Sequence, residues 1–344
     1  MQFKEIISLF LSLLMIFSLC SCKKKDNDIP EEILPEVPVE EIDPNFPVTL
    51  EFNGETLTLD EAPTKVVSLS PAITQLFYDL GEENILKGVS SYAPEIAKEK
   101  LDCGTPQLVD LENLKDIKPQ LLFTDTPLLS NQLTEIYQMN IDVIYIPRPE
   151  SKKDILNRAE LILLALYGNE EGAELAEDFA DNFMDDWSAL EEISENISEK
   201  KSAVLLGALN YAATGDCFEG DILEFLSLKN LCSEGENWQL PTKNADANGK
   251  ITYTYGDVII EFNPDIIFFN SNLSEDEIKN SPLYSSSNAV KNSQIFPIDW
   301  TVIQLQSEDF TEVLIEMSEK AYSDAWEKTE IQEEIPETPP VTAE

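Results

Sequence analysis

The chain has 344 residues, of which 66 are acidic, 23 are basic and none is histidine, so its formal charge is −43. At about 150 residues per domain, this length predicts two domains that each bury a hydrophobic core. The charge excludes the basic face that nucleic-acid binding requires, and the lack of histidine excludes histidine-dependent catalysis and histidine metal ligands.

The first 21 residues have the pattern of an export signal. Lys4 precedes an apolar run over residues 6–19, which is too short to span a bilayer at about 20 residues but fits the core of a signal peptide. The run ends Leu19-Cys20-Ser21-Cys22, which resembles the bacterial lipobox. We therefore expect residues 1–21 to be removed and Cys22 to become the lipidated first residue. A buried helix is the alternative.

Two segments have the composition of unfolded chain. Residues 22–47 contain five prolines and eight acids with little apolar periodicity, which predicts an extended acidic tether. Residues 329–344 are again rich in proline and glutamate, which predicts a disordered acidic tail. The folded body is therefore expected over residues 48–328.

Strand-like runs alternate with helical patterns through this body. Val66 begins a short β-branched run, and Pro71 and a helical stretch that stops at Gly81 follow it. Further strand-like runs lie at residues 121–124, 143–146, 203–206, 266–270 and 294–298. The alternation predicts parallel α/β layers, with an N-terminal lobe over residues 48–150 and a C-terminal lobe over residues 201–328.

The segment between the lobes, residues 151–200, is predicted to be helical. Ser151 and Asp154 have the spacing of a capping box, and apolar residues at helical spacing follow as far as Gly168. A second helix is predicted from near Asn169, with an apolar stripe on one side and eleven acids between residues 170 and 195 on the other. The resulting architecture is two α/β lobes joined by long helices.

A near-repeat supports two equivalent lobes. Residues 112–123 and 257–268 each begin with an acid and reach a proline just before a strand-like run. Each copy falls at the same place in its lobe, where a helix leads into a strand.

Several stretches carry a family resemblance: Lys65-Val-Val-Ser-Leu-Ser-Pro-Ala-Ile-Thr-Gln-Leu76, Gly88-Val-Ser-Ser-Tyr92, Gly104-Thr-Pro106, Asn113 through Pro119, and Phe262-Asn-Pro-Asp265-Ile-Ile. Over residues 65–300 the chain resembles the helical-backbone class (class III) of substrate-binding proteins, which feed importers of cobalamin, iron-siderophore chelates and haem. The resemblance implies two Rossmann-like lobes joined by a single long helix at residues 151–167. It also implies a ligand cleft between the lobes, no catalysed reaction and no cofactor.

The resemblance implies the partners as well. A monomer would capture a metal chelate, remain attached to the cell membrane through a lipid on Cys22, and deliver its ligand to the permease dimer of an ABC importer. In the family a glutamate on each lobe meets arginines of the permease, and Glu112 and Asp257 hold the matching places. The alternative for these two acids is local, because acids at helix starts are favoured by the helix dipole.

Ligands of open α/β sheets bind beyond the carboxyl ends of the strands. In this chain those ends carry Ser70, Pro71, Asp125, Tyr211, Asp299 and Trp300. The resemblance places Tyr92 against the ligand, and where cobalamin-binding members carry further aromatics this chain has Pro106, Asp125 and Ile251. Trp300 and Trp238 are candidates to stack on a planar ligand. For Tyr92 and the two tryptophans, packing in the core or at the lobe rim is the alternative.

Three cysteines lie in the folded body, an odd number for an exported chain. Cys217 and Cys232, 15 residues apart, either form a disulfide or remain free, and Cys103 is expected to be a small buried residue. No group of acids in the sequence is distinguished as a metal site.

Three classes of function fit these residues. The leading hypothesis is an extracytoplasmic solute-binding lipoprotein that captures a metal chelate for an ABC importer. The alternatives are an extracellular hydrolase that uses two carboxylates about 5–10 Å apart, and a surface adhesin or scaffold on the same fold. Cobalamin, an iron-siderophore and haem all stay open as ligands.

Overall fold

A computed structural model describes residues 43–238, 244–245, 251–252, 263–306 and 309–333. The export signal at residues 1–21, the lipidation site Cys22 and the docking residue Asp257 lie outside the described residues, and of Ile251 only the backbone is described.

The described chain enters the N-terminal lobe through an antiparallel hairpin. Strand β1 (Val48–Phe52) alternates buried and exposed residues, as expected for a strand with one face on a core, and pairs with β2 (Glu55–Leu59), in which only Leu59 is buried. The central sheet of the lobe follows and consists of β3 (Val66–Ser68), β4 (Leu86–Val89), β5 (Leu101–Asp102), β8 (Leu121–Thr124) and β9 (Asp142–Tyr145). These five strands lie in the order β5-β4-β3-β8-β9, and every neighbouring pair is parallel.

Helices cover both faces of this sheet. Between its strands lie α1 (Pro71–Asp79), the small hairpin β6 (Gly104–Thr105) and β7 (Leu108–Val109), α2 (Leu111–Ile117) and α3 (Ser130–Gln138). Leu121 and Phe123 of β8 pack into the core that contains Phe77 of α1, whereas Leu122 packs into the core that contains Leu114 of α2. Successive residues of β8 are therefore buried on opposite faces, which explains why the strand is apolar throughout.

Two helices lead from the N-terminal lobe to the C-terminal lobe: α4 (Lys152–Tyr167) and α5 (Asn169–Glu195). Ser151 caps α4, because its Oγ accepts a hydrogen bond from the N–H of Asp154 at 3.2 Å. The Asp154 carboxylate accepts in return from the N–H of Glu150 at 3.3 Å, so the return bond reaches one residue further back than in a standard capping box. Gly168 ends α4 at a φ of 77°, and a Cβ there would collide with the carbonyl oxygen of Asn45.

The C-terminal lobe repeats the α/β plan. Its strands are β10 (Ser202–Ala208), β11 (Tyr211–Ala212), β12 (Lys229–Asn230), β15 (Ile266–Asn270) and β16 (Ile295–Ile298), and a separate antiparallel pair is formed by β13 (Asn244–Ala245) and β14 (Ile251–Thr252). The sheet order is β11-β10-β15-β16, with β12 also paired to β10. The pairs that β10 makes with β12 and β15, and β15 with β16, are parallel.

The helices of this lobe are α6 (Phe218–Phe225), α7 (Glu275–Asn280), α8 (Asn288–Lys291), α9 (Trp300–Leu305) and α10 (Phe310–Glu333). One face of the sheet packs with α5, α6, α9 and α10, and the other packs with α7 and α8. Helix α10 is interrupted at Tyr322, whose hydroxyl donates to the carbonyl of Ser227 at 2.7 Å and accepts from the N–H of Lys201 at 3.0 Å.

The predicted tether is wrong at its carboxyl end. Phe46 is 6% exposed and belongs to the core of the N-terminal lobe. Asn45 caps α5, since its carbonyl accepts from the N–H of Asn169 at 3.0 Å and its Oδ1 accepts from those of Glu170 and Glu171 at 3.2 and 3.1 Å. Residues 43–47 are therefore part of the folded body, because one apolar anchor and one cap outweigh the proline-rich composition.

The predicted disordered tail is also corrected at its start. Helix α10 continues to Glu333, so residues 329–333 are helical, and residues 334–344 lie outside the described residues. Over the ranges that the structure describes, no helix has both the length and the apolar character needed to cross a bilayer.

Candidate functional site

Both lobes contribute to a depression at the floor of the cleft. Its volume is about 260 Å³. The N-terminal lobe lines it with the start of α1, the end of β8 and the loop after β9, α4 adds Arg158, and the C-terminal lobe adds Gln304 and Leu305 of α9. Three residues predicted from the sequence, Ser70, Pro71 and Asp125, meet in this lining. They converge because β3 and β8 are parallel neighbours, so their carboxyl ends lie at one edge of the sheet.

Ser70 and Asp125 are joined directly. The Ser70 Oγ donates to Oδ2 of Asp125 at 2.5 Å and accepts from the N–H of Ile73 at 3.2 Å, which caps α1. Thr126 donates through its Oγ1 to the other carboxylate oxygen of Asp125 at 3.1 Å. Because Ser70 is fully buried and Asp125 is half-buried, Asp125 is the member of this pair that a ligand in the depression can contact.

Arg158 is a buried cation beneath the floor. Its side chain lies on α4 and is 2% exposed, and its Nη2 donates to the carbonyl of Gln306 at 2.8 Å. Burial lowers the pKa of Arg158 to about 10, while the nearby carboxylates of Asp125 and Asp79 act in the opposite direction. The guanidinium is therefore charged at neutral pH. The Gln306 side chain donates in turn to the carbonyl of Pro149 at 3.1 Å, which ties the two lobes together.

An ion pair also joins the two lobes. Arg148, in the loop between β9 and α4, forms an ion pair with Glu219 of α6. The Glu219 side chain is 2% exposed, whereas that of Arg148 is 47% exposed. The sequence analysis missed both residues. The available signal was composition, because Arg148 and Arg158 are the only arginines in the sequence.

At the rim of the N-terminal lobe, Tyr92 is the exposed candidate. It follows β4, its side chain is 73% exposed, and its N–H donates to Oγ of Ser90 at 3.2 Å. Pro106, at the turn between β6 and β7, is buried, so the prediction that it faces a ligand is not supported by its position. Leu108 on the same hairpin is 75% exposed and is the apolar side chain that this hairpin offers to solvent.

In the C-terminal lobe, Tyr211 is 46% exposed, and Asp299 caps α9 by accepting from the N–H of Thr301 at 2.9 Å. Trp300 differs from the expectation of a ligand-stacking ring, because it is 8% exposed and belongs to the core. Its ring packs edge-on against that of Trp238, with the centroids 5.5 Å apart.

Gly207 makes room for the Trp300 ring. A Cβ at this position would lie 2.9 Å from Cζ2 of Trp300, which is closer than van der Waals contact. The structure therefore corrects Trp300 to a core residue. Tyr92, Pro106, Tyr211, Asp299 and Trp300 all lie outside the lining of the floor depression, so the structure gathers there only part of the predicted set.

The candidate disulfide is not formed. Cys103, Cys217 and Cys232 are all free thiols. Cys217 packs with the core on one face of the C-terminal sheet and its Sγ contacts the carbonyl of Thr214 at 3.2 Å, whereas Cys232 belongs to the core on the other face. The sheet lies between the two sulfurs, which is why a spacing suitable for a bridge does not produce one.

Glu112 lies on the surface of the N-terminal lobe, in the first turn of α2. Its side chain is 86% exposed and pairs with Nζ of Lys115 at 2.8 Å. Asp110 caps the same helix by accepting from the N–H groups of Glu112 and Asn113 at 3.1 and 3.0 Å. Since Asp110 provides the cap, the Glu112 carboxylate is not needed for it.

Among the described residues, no group of three or more Cys, Asp or Glu side chains is arranged to hold a metal ion. A larger depression of about 730 Å³ lies between β1 and α4. Leu50, Phe52, Leu161 and Leu164 line it, and none of the residues predicted from the sequence does.

Two Rossmann-like lobes, joined by a long helix and facing each other across a cleft, define the helical-backbone class of binding proteins. Residues 66–300 match the family described as Periplasmic binding protein, and the chain belongs to that family. Members of the family are binding proteins and not enzymes, so the carboxylate-dependent hydrolase considered above is set aside.

Individual relatives agree with this assignment. The chain is 24% identical over 296 residues to the uncharacterised ABC transporter substrate-binding lipoprotein YvrC of Bacillus subtilis, covering 82% of this chain and 88% of the relative. The fold matches Helicobacter pylori CeuE with Ni(II) bound at a TM-score of 0.64 and 16% identity, covering 82% of this chain and 91% of that chain. It matches the periplasmic vitamin B12 binding protein BtuF of Vibrio cholerae at a TM-score of 0.57 and 15% identity, covering 77% and 98%.

Proposed function

We propose that the protein is an extracytoplasmic lipoprotein that captures a metal chelate in the cleft between its lobes and delivers it to an ABC importer. The observation that carries the proposal is the cleft floor, where Asp125 and Arg158 from the N-terminal side meet Gln304 and Leu305 of the C-terminal lobe. A ligand bound at this site contacts both lobes at once, which a ligand bound to a site on one lobe cannot do.

The exposure of the side chains in the cleft indicates which part of a ligand each of them would contact. Asp125 and Arg148 supply polar contacts at the floor, and the exposed rings of Tyr92 and Tyr211 supply apolar area at the rim of each lobe. A chelate with a planar or apolar body and polar arms suits this arrangement, because aromatic faces bind the body while hydrogen-bonding groups fix its orientation.

The relatives support this ligand class without specifying the ligand. One structural match holds Ni(II) and another is named as a vitamin B12 binding protein, and the sequence resemblance extends to iron-siderophore and haem importers. Membrane attachment through Cys22 is supported by the lipobox and by the lipoprotein relative. Mass spectrometry of the protein from its host is expected to find a lipid on Cys22 and no residues 1–21.

The test of ligand binding is a thermal shift with cobalamin, ferric hydroxamate and catecholate siderophores, and haem. At least one chelate is expected to raise the melting temperature in a saturable way, because a ligand that binds only the folded state stabilises it. Asp125→Asn is expected to change that shift, and Asp276→Asn, which alters an exposed acid on α7, is the matched control that is expected to leave it unchanged. No shift with any chelate would favour the adhesin or scaffold alternative.

A further inference from the structure

The only two arginines of the sequence reach the same place. Arg148 and Arg158 both line the floor depression, although the chain carries a formal charge of −43. Their acidic neighbours are Asp125 and Asp79, whose charges act on Arg158, and Glu219, which pairs with Arg148. Two cations therefore offset most of the charge of three nearby anions, and an anionic group that enters the floor meets less excess negative charge than the chain as a whole carries.

The ion pair of Arg148 leaves most of the N–H donors of its guanidinium unused. The ion pair joins its Nη2 to one oxygen of Glu219, Oε1, whereas a guanidinium has five N–H donors in a planar fork. The side chain is 47% exposed and lines the depression. The same side chain also lines the larger depression between β1 and α4, so the donors that the ion pair does not use lie where the two depressions meet.

A buried donor at the floor also lacks a partner. Among the buried side-chain atoms of the described residues, Nε of Arg158 has no hydrogen bond. Buried polar groups in folded proteins are nearly always paired, so an unpaired one calls for an explanation, and a bound ligand or water is one such explanation. The Arg158 side chain is 2% exposed and lines the depression, so this observation points to the floor independently of Arg148.

We propose that the cleft floor binds an oxyanion arm of the chelate, a carboxylate or a phosphate, and that Arg148 is the residue that receives it. This inference rests on the proposed function. A planar guanidinium matches the two oxygens of such a group. The depression of about 260 Å³ is smaller than the roughly 300–1,000 Å³ of sites that hold whole ligands, so it accommodates one arm while the body of the chelate lies in the open cleft.

The neighbouring carboxylate of Asp125 does not prevent this. Both of its oxygens already accept hydroxyl hydrogen bonds, from Ser70 and Thr126, and its charge is opposed by Arg158. An incoming oxyanion therefore finds a partly neutralised carboxylate beside a guanidinium with free donors.

The test uses pairs of chelates that differ only in the charge of one arm. These are cobyric acid and its amide, haem and its monomethyl ester, and ferrioxamine B acylated on its free amine with succinate or with acetate. Calorimetry of the wild-type protein is expected to show tighter binding of the acid member of each pair that binds, by roughly 10- to 100-fold, as for hydrogen bonds to charged groups.

Arg148→Gln is expected to abolish this preference, so that the acid and neutral members of a pair bind to the variant with affinities within about 3-fold of each other, a difference under 1 kcal/mol. Arg148→Lys keeps the positive charge but lacks the planar pair of guanidinium donors, and it is expected to retain part of the preference for the acid member. Lys153→Gln is the matched control, because Lys153 is an exposed cation at the start of α4 that does not line the depression.

Equal binding of acid and neutral members by the wild-type protein would overturn the oxyanion site and leave the proposed function standing. An Arg148→Gln variant that weakens both members equally would also overturn it, because that result identifies Arg148 only as a tie between lobes. Failure of every chelate to bind would overturn the proposed function and this inference together.

Discussion

The guanidinium of Arg158, on the helix that leaves the N-terminal lobe, donates from Nη2 to the backbone carbonyl of Gln306 at 2.8 Å, just after α9 of the C-terminal lobe. Gln306 adopts a φ of 49° there and its N–H bonds to the carbonyl of Val302, which ends α9. One buried side chain therefore satisfies a helix terminus that belongs to the other lobe.

We predict that Arg158→Leu lowers the free energy of unfolding by about 1–3 kcal/mol, because it leaves the carbonyl of Gln306 buried without its donor. Urea denaturation followed by circular dichroism measures this. Lys153→Leu, on the exposed face of the same helix, is the control and is expected to change stability by less than about 0.5 kcal/mol. Equal stability of Arg158→Leu and the wild-type protein would contradict the role of this contact.

We predict opposite consequences for the two aromatic candidates of the sequence analysis. Tyr92 is 73% exposed and Trp300 is 8% exposed. Tyr92→Ala is therefore expected to leave stability within about 0.5 kcal/mol and to weaken chelate binding by about 1–3 kcal/mol. Trp300→Ala is expected to lower stability by about 3–5 kcal/mol, as truncation of a buried tryptophan does. Calorimetry and denaturant titration of the two variants measure both effects, and unchanged affinity in Tyr92→Ala would place the ligand elsewhere.

The elements were predictable where local pattern decides them. The runs at residues 121–124 and 266–270 became β8 and β15 without any change in bounds, because an apolar run that is buried on both faces leaves a continuous signal. Ser151 and Gly168 likewise set the two ends of α4. The placement of Ser70 and Asp125 at one edge of the sheet was predictable, since both residues follow the carboxyl ends of neighbouring parallel strands, whereas the hydrogen bond between them was not predicted.

The features that the sequence did not predict depend on contacts between distant parts of the chain. The ion pair between Arg148 and Glu219 joins residues 71 apart, and the burial of Trp300 depends on the missing Cβ of Gly207. Phe46 was assigned to a tether because its neighbours are prolines and acids, although one buried phenylalanine is enough to hold the segment. Composition reports the average of a segment, whereas packing depends on individual side chains.

We predict that stability falls as the pH rises above about 9 because of two buried thiols. Burial raises the pKa of Cys103 and of Cys232 to about 12 from the ordinary value of 9.0. Between these values the unfolded chain loses thiol protons that the native chain keeps. Ionisation therefore lowers the free energy of the unfolded state and not that of the native state. The contribution is fully present below pH 9 and is lost as the pH rises toward 12.

Urea titrations at pH 8 and pH 10.5 measure this loss. The double variant Cys103→Ala/Cys232→Ala is expected to lose less stability over the same interval, because each thiol contributes up to about 1.4 kcal/mol per pH unit. Identical losses in the variant and the wild-type protein would show that other groups cause the pH dependence.

We predict that ligand binding changes the separation of the lobes only slightly. The helix α4 is 16 residues long with a side-chain cap, and polar contacts from Arg148 and Arg158 already join the lobes at the floor. A helix with such ties is a stiffer connection than flexible strands. X-ray scattering with and without a chelate that binds is expected to give radii of gyration that agree within error, and a large decrease on binding would contradict a stiff connection.

The last prediction concerns docking on the importer. Glu112 is 86% exposed, and its only ion pair among the described residues is the one with the exposed Lys115. The α2 cap is supplied by Asp110, so a structural role for the Glu112 carboxylate is small. Asp257 holds the matching place in the sequence of the other lobe and lies outside the described residues. Two acids on separate lobes allow a two-fold symmetric permease to bind both, and such charged contacts set orientation and association rate more than affinity.

Glu112→Gln and Asp257→Asn are therefore expected to leave chelate affinity and melting temperature unchanged while they lower uptake into vesicles that contain the importer, with the larger effect in the double variant. Glu192→Gln, which removes an exposed acid from α5, is the matched control and is expected to support normal uptake. Raising the salt concentration is expected to reduce wild-type uptake toward the level of the double variant, since exposed charge pairs are screened. Normal uptake by the double variant would show that these acids do not contact the permease and would leave Glu112 with only its local pair to Lys115.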